Sequence, residues 1–156
     1  MVVNWTAVGA LATAVTGVII LVSVVVLALQ IRELRRASYA QAYASAVGWL
    51  QSEDMRAARR ALFDLRGKAL PDWTHDERWA CEKVCQSYDI VAIMIRHGML
   101  PKEILVENWQ QSLIASWNAA RPLVEEFRKE YAFPEKWDDF EWLARQAEQR
   151  AGRKSG

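Results

Sequence analysis

From residue 5 to residue 31 nearly every position is apolar or small, and the exceptions are Thr6, Thr13, Thr16, Ser23 and Gln30. Ser and Thr hydroxyls can bond back to a preceding helical carbonyl, so they do not interrupt an apolar helix. No period separates a wet face from a dry one. A helix of about 27 residues rising ~1.5 Å each covers ~40 Å, more than the ~30 Å hydrocarbon layer of a bilayer. The pattern predicts a transmembrane helix that tilts or extends into the headgroups, with Trp5 as an interfacial anchor at its outer end.

Beyond this run the pattern becomes periodic at helical spacing. Residues 33–46 hold no Pro or Gly and continue the helix, with Tyr39, Tyr43 and Val47 marking a weak face and Gly48 a break or bend. Ser52 resembles an N-cap before Glu53 and Asp54, and a second helix is expected over 53–66, with Met55, Ala58, Leu62 and Leu65 inward. Gly67, Pro71 and Asp72 mark a loop. Thr74 and Glu77 have capping-box spacing and open a third helix reaching His97, with Gly98 closing it. Its stripe of Cys81, Val84, Cys85, Tyr88, Val91, Ala92 and Ile95 makes it the expected central helix. Pro101 fits the first turn of a fourth helix carrying Leu105, Trp109, Leu113, Trp117 and Ala120, which Pro122 should bend or restart. Pro134 is expected to begin a last helix that buries Trp137, Phe140, Leu143, Ala144 and Ala147. No stretch alternates with period two, so no sheet is expected. The expected fold class is all-α, a transmembrane helix continuing into a compact cytoplasmic bundle of about four to five helices. The expected divisions are residues 1–31 (span), 32–52 (membrane-proximal helix or linker), 53–151 (helical domain) and 152–156 (disordered tail).

Charge sharpens the division. The formal net charge is only +1, yet no charged side chain precedes Arg32. Residues 32–68 carry eight basic and four acidic side chains, whereas residues 69–156 carry twelve and fifteen, so the basic part adjoins the apolar run. Arg32, Arg35 and Arg36 directly follow the run, and by the positive-inside rule they place the C-terminal domain in the cytoplasm and the N-terminus outside. A cleaved signal peptide fits less well: it needs basic residues before a shorter apolar core. The expected location is therefore the inner membrane, single-pass.

Candidate contact residues fall into three groups. Gly9, Thr13 and Gly17 form one row at four-residue spacing, and Thr6, Ala10 and Ala14 another; such rows let two spans approach closely and point to self-association. Arg56, Arg59 and Arg60 make one basic face that could meet anionic lipid or an acidic partner. Seven tryptophans lie beyond Trp5. Trp73, Trp79, Trp109, Trp117 and Trp137 suit core positions, whereas Trp49 and Trp142 fit the stripes least and are the candidate interaction surface.

Signs of catalysis are weak. Cys81 and Cys85 share one helical face on the apolar stripe, and neither His75 nor His97 completes a zinc set. There is no phosphate-cradling glycine loop, no Gly-x-Ser-x-Gly and no His-Glu-x-x-His. Glu125 and Glu126 are adjacent, so they do not face each other across a site, and Asp138, Asp139 and Glu141 suit a helix start. No catalytic residue, metal or cofactor is assigned.

The order of certain motifs carries a resemblance. A Val/Ile-rich helix leads into Arg96-His97-Gly98-Met99-Leu100-Pro101; Trp109, Trp117, the Arg121-Pro122-Leu123-Val124 turn and Arg128 follow; then comes Asp139-Phe140-Glu141-Trp142-Leu143-Ala144. This order resembles a bacterial family of small single-span membrane proteins, domain of unknown function 4760, with Phe140, Glu141, Leu143 and Ala144 matching its Phe-Glu-x-Leu-Ala element. The resemblance implies architecture and a bacterial inner-membrane setting, and brings no catalytic residues.

These features favour a membrane-anchored, non-enzymatic interaction module that binds a protein partner or copies of itself, with no role for nucleic acid. Two other classes stand beside it. One is an oligomeric membrane-permeabilising effector of toxin or defence type. The other is a ligand sensor or enzyme, which would need a pocket of convergent polar groups.

Overall fold

The computed structural model describes residues 5–154, with the side chains of 5–8, 10–15, 18 and 154 outside that description. Among the described residues the chain is all-α: α1 (Trp5–Leu50), α2 (Glu53–Asp64), α3 (His75–Arg96), α4 (Lys102–Glu130) and α5 (Asp138–Lys154), with a 3-10 turn at Leu70–Asp72 and no strand. The chain divides into two units, Met1–Ala40 and Gln41–Gly156.

In the first unit, the described side chains of 19–31 are exposed on every side of α1. Ser23 donates its hydroxyl to the Ile19 carbonyl at 2.8 Å, so its polarity is spent within the helix. Among the described residues no helix is long and apolar enough to cross a membrane. Much of the expected span, including Trp5, Ala10, Thr13 and Ala14, lies outside the described side chains.

The second unit is a helical bundle. Its first residues are the end of α1, which bury Ala46 and Leu50 rather than forming a linker, and Gly48 interrupts nothing. Ser52 caps α2, its hydroxyl accepting the Met55 N–H at 3.3 Å. The Thr74–Glu77 capping box opens α3: Thr74 Oγ1 accepts the Glu77 N–H at 3.3 Å, and Glu77 Oε2 accepts the Thr74 N–H at 2.7 Å. Gly98, at φ +68°, ends that helix in the left-handed region that only glycine enters freely. As its stripe predicts, α3 is central and touches α2, α4 and α5. Tyr88 on α3 stacks on Phe140 of α5 at 5.0 Å, and Trp117 of α4 meets the Phe140 edge at 5.3 Å. These three rings join the helices of the core.

Three boundaries differ from the sequence reading. Helix α4 runs through Pro122 unbroken. The ring costs a hydrogen bond, but Ala120, Leu123 and Val124 around it are all fully buried, which keeps both halves packed. Helix α5 begins at Asp138 rather than Pro134. The preceding loop contains Ala132 at φ 49° and Trp137 at φ 58°, left-handed positions that delay the helix. At the other end α5 extends to Lys154, past the expected start of the tail.

Candidate functional site

In the second unit a cleft of about 340 Å³ opens among the end of α1, α2, α3 and the loop before α5. Trp49, Met55, Trp79 and Trp137 supply its apolar wall, and Glu82, Lys83 and Lys136 its charges. Trp49 is 40% exposed and Trp79 62%, whereas Trp137 is buried. Lys83 pairs with Asp54. The neighbouring Ser87 donates to the Lys83 carbonyl at 2.6 Å and lies 3.2 Å from the Met55 sulfur. The Lys136 ammonium lies over the Trp137 ring, 4.7 Å from its centroid, and Phe127 braces that ring edge-on at 5.3 Å. The indole N–H of Trp137 is buried without a partner.

The sequence reading picked Trp49 but placed Trp79 in the core, where it is not. The signal was available: Trp79, Lys83, Gln86, Ile90 and Ile93 recur at helical spacing on the side of α3 opposite its buried stripe. Trp142, expected to be exposed, is instead half-buried against the core, with the Arg96 guanidinium 4.9 Å from its ring centroid. The basic face also needs correction. Arg59 is buried: it donates to the Leu50 carbonyl at 2.6 Å and stacks over Trp109 at 5.3 Å. Arg56 and Arg60 stay exposed, both held by Glu53, at 2.9 Å and 2.8 Å. On α1, Arg32, Arg35 and Arg36 are exposed, and Arg36 pairs with Glu33 at 2.8 Å. Gly9 and Gly17 are exposed, and a Cβ at either would meet nothing within 4 Å. The other members of the small-residue rows, Thr6, Ala10, Thr13 and Ala14, and Trp5 fall outside the described side chains.

Two polar clusters compete with the cleft for attention, and both have structural explanations. Asp89, Asp138 and Asp139 bring carboxylate oxygens within 4.8 Å of one another. Asp89 accepts the Phe140 N–H at 3.0 Å and Asp139 pairs with Arg96 at 2.7 Å. The trio thus caps the positive end of α5. Burial pushes the Asp89 carboxyl up, the Phe140 N–H pulls it back, and Asp139 and Asp138 raise it again. The second cluster is a polar cleft of about 250 Å³ between α4 and α5. There Arg128 donates to the Lys136 carbonyl at 2.9 Å and to Glu141 at 2.8 Å, and Arg145 pairs with Glu141 as well. Burial alone would raise the Glu141 carboxyl, but the two guanidiniums outweigh it and hold it below the usual range.

The cysteines are free and fully buried. Burial first, and the neighbouring Cys81 second, raise the Cys85 thiol well above its usual range. Burial in the core thus disfavours its thiolate form.

Trp117, Arg128, Phe140 and Glu141, drawn from three separate motifs, thus meet where α4 packs on α5. The model of the family described as domain of unknown function (DUF4760) matches residues 17–147. The chain belongs to that family. No curated protein and no solved structure matches it. The DUF4760 match takes in α2, α3, α4 and every wall of the tryptophan cleft, so the cleft is built from the family's own domain.

Proposed function

We propose that the chain is a membrane-anchored, non-enzymatic interaction module of the bacterial inner membrane, with its C-terminal domain in the cytoplasm. One observation carries the anchor. Every large apolar side chain from 19 to 31 is between 45% and 66% exposed, all round the helix. Each would favour apolar surroundings by ~1 kcal/mol or more, so the ten together favour leaving water by on the order of 10 kcal/mol. A helix dry on all sides suits lipid rather than a protein groove, which covers one face. The sequence extends the uncharged run back to residue 5 and ends it at Arg32, Arg35 and Arg36, whose charges favour the cytoplasmic side. The interaction role draws on the exposed Trp49, Trp79, Ile90 and Ile93 of the second unit, since aromatic side chains left in water are the commonest anchors of protein interfaces.

Flotation of bacterial membranes carrying the full-length chain tests this reading. The protein is expected to float, to resist alkaline carbonate, and to expose a C-terminal tag to protease only after the inner membrane is opened. The double variant Leu21→Asp, Val25→Asp is expected to move into the soluble fraction. Recovery of the parent chain in the soluble fraction would sink the proposal.

A further inference from the structure

We infer that the tryptophan cleft binds a small amphipathic acid, with an aromatic or branched apolar body and one carboxylate. This goes beyond the anchoring role and stands independently of it. The size fits: about 340 Å³ lies in the range of small-ligand sites. The wall fits the body. Trp49 and Trp79 hold large aromatic surfaces in water, and a ligand ring laid against them would remove that surface from solvent.

The charges select the acid. The lining carries two ammonium groups, on Lys83 and Lys136, against the single carboxylate of Glu82. Among the described residues no carboxylate forms an ion pair with Lys136, whose ammonium is seated over the Trp137 ring and whose charge reaches Asp89 only at longer range. Lys83 has Asp54, but that aspartate is 72% exposed, and a solvent-exposed pair holds its cation weakly. A neutral ligand would bury ammonium groups without pairing them. A cation would find Glu82 but meet the Lys136 ammonium, which forms no ion pair among the described residues. A carboxylate pairs with Lys136 while its apolar body covers the indoles. The Trp137 wall of the site is also held before any ligand arrives. Trp137 sits at φ 58°, a costly position for a bulky residue, and Phe127 braces its ring. Such preorganisation limits the entropy lost on binding.

Calorimetric titration of the full-length chain in an uncharged maltoside, with blanks into detergent alone, tests the inference. The probes are 4-phenylbutyrate, 4-phenylbutanol and 4-phenylbutylamine, which share one body and differ in charge. Saturable binding of the acid is expected, roughly two- to fivefold tighter than the alcohol, as one partly exposed ion pair would give, and tighter still than the amine. Lys136→Gln should erase the acid's advantage over the alcohol, and Trp79→Ala should weaken both. Neither residue belongs to the fully buried core, so unchanged far-ultraviolet dichroism would show that the fold is intact. Absence of saturable binding by the acid, or equal or tighter binding of the alcohol or amine, would overturn it. Flotation reads anchoring separately, so a chain that binds the acid but stays soluble would refute the anchor and keep this inference.

Discussion

Residues 19–31 of α1 and residues 81–95 of α3 are both rich in Val and Ile, and the structure treats them in opposite ways. In α3, Cys81, Val84, Cys85, Tyr88, Val91 and Ala92 are fully buried, while Gln86, Ile90 and Ile93 on the far side face solvent. In residues 19–31 of α1 the apolar side chains have no far side, and all are exposed. Apolar content is therefore a poor guide to what a helix does. Its angular distribution decides whether a protein core can absorb it, because a neighbouring helix covers one face only.

The comparison breaks most sharply under truncation of matched apolar side chains. Phe140 is fully buried and touches both Tyr88 and Trp117. Phe140→Ala is expected to cost ~3–5 kcal/mol, read as a lowered denaturant midpoint of tryptophan fluorescence. Leu27, 56% exposed, has no such neighbours. Leu27→Ala should leave that midpoint unchanged, and a comparable loss would show that residues 19–31 are not free of the packing that stabilises the fold.

A smaller contrast separates arginines that looked alike. Arg59→Ala leaves the Leu50 carbonyl without its 2.6 Å donor and removes the guanidinium from Trp109, for an expected cost of about 1–3 kcal/mol. Arg56→Ala and Arg60→Ala break only exposed pairs with Glu53 and should leave the midpoint nearly unchanged. Equal effects at all three positions would restore the single basic face. Next in size is Thr74→Ala, which removes half of the capping box of α3 and should lower stability by about 1 kcal/mol, an effect that Thr74→Ser should largely rescue.

The parts of this fold that could be read from sequence obey local rules. Ser52, the Thr74–Glu77 pair and Gly98 mark helix ends because each satisfies or permits backbone geometry within four residues. The stripes of α3 and α4 were legible because burial follows the helical period. What stayed hidden depends on distant partners. Nothing around Arg59 announces that the Leu50 carbonyl waits for it nine residues back. Trp137 enters the left-handed region without the Gly or Asn that normally signals it, so the start of α5 was misplaced. The cleft was half legible. Trp49 stood out by missing the stripes, and Trp79 lay opposite the stripe of its own helix, but the company of Lys136 is tertiary.

The least effect and the finest comparison concern two carboxylates flanking α5. Burial raises Asp89, an effect the Phe140 N–H only partly offsets. Below the ordinary aspartate range both folded and unfolded chains hold its proton, and nothing is lost. As pH climbs toward the raised folded value, the unfolded chain ionises first, so stability falls with rising pH. Glu141 runs the other way. Burial would raise it, but Arg128 and Arg145 prevail, so its contribution is complete above the ordinary glutamate range and fades as pH drops through the folded value. Asp89→Asn should therefore gain stability near neutrality and show no gain in acid, by less than ~1 kcal/mol given the partial solvent access. Glu141→Gln should lose stability near neutrality and converge with the parent in acid. Denaturant midpoints between about pH 3 and pH 7 span both ranges. If the two variants shift in the same direction near neutrality, the opposition drawn between a desolvated cap and a guanidinium-held carboxylate is wrong.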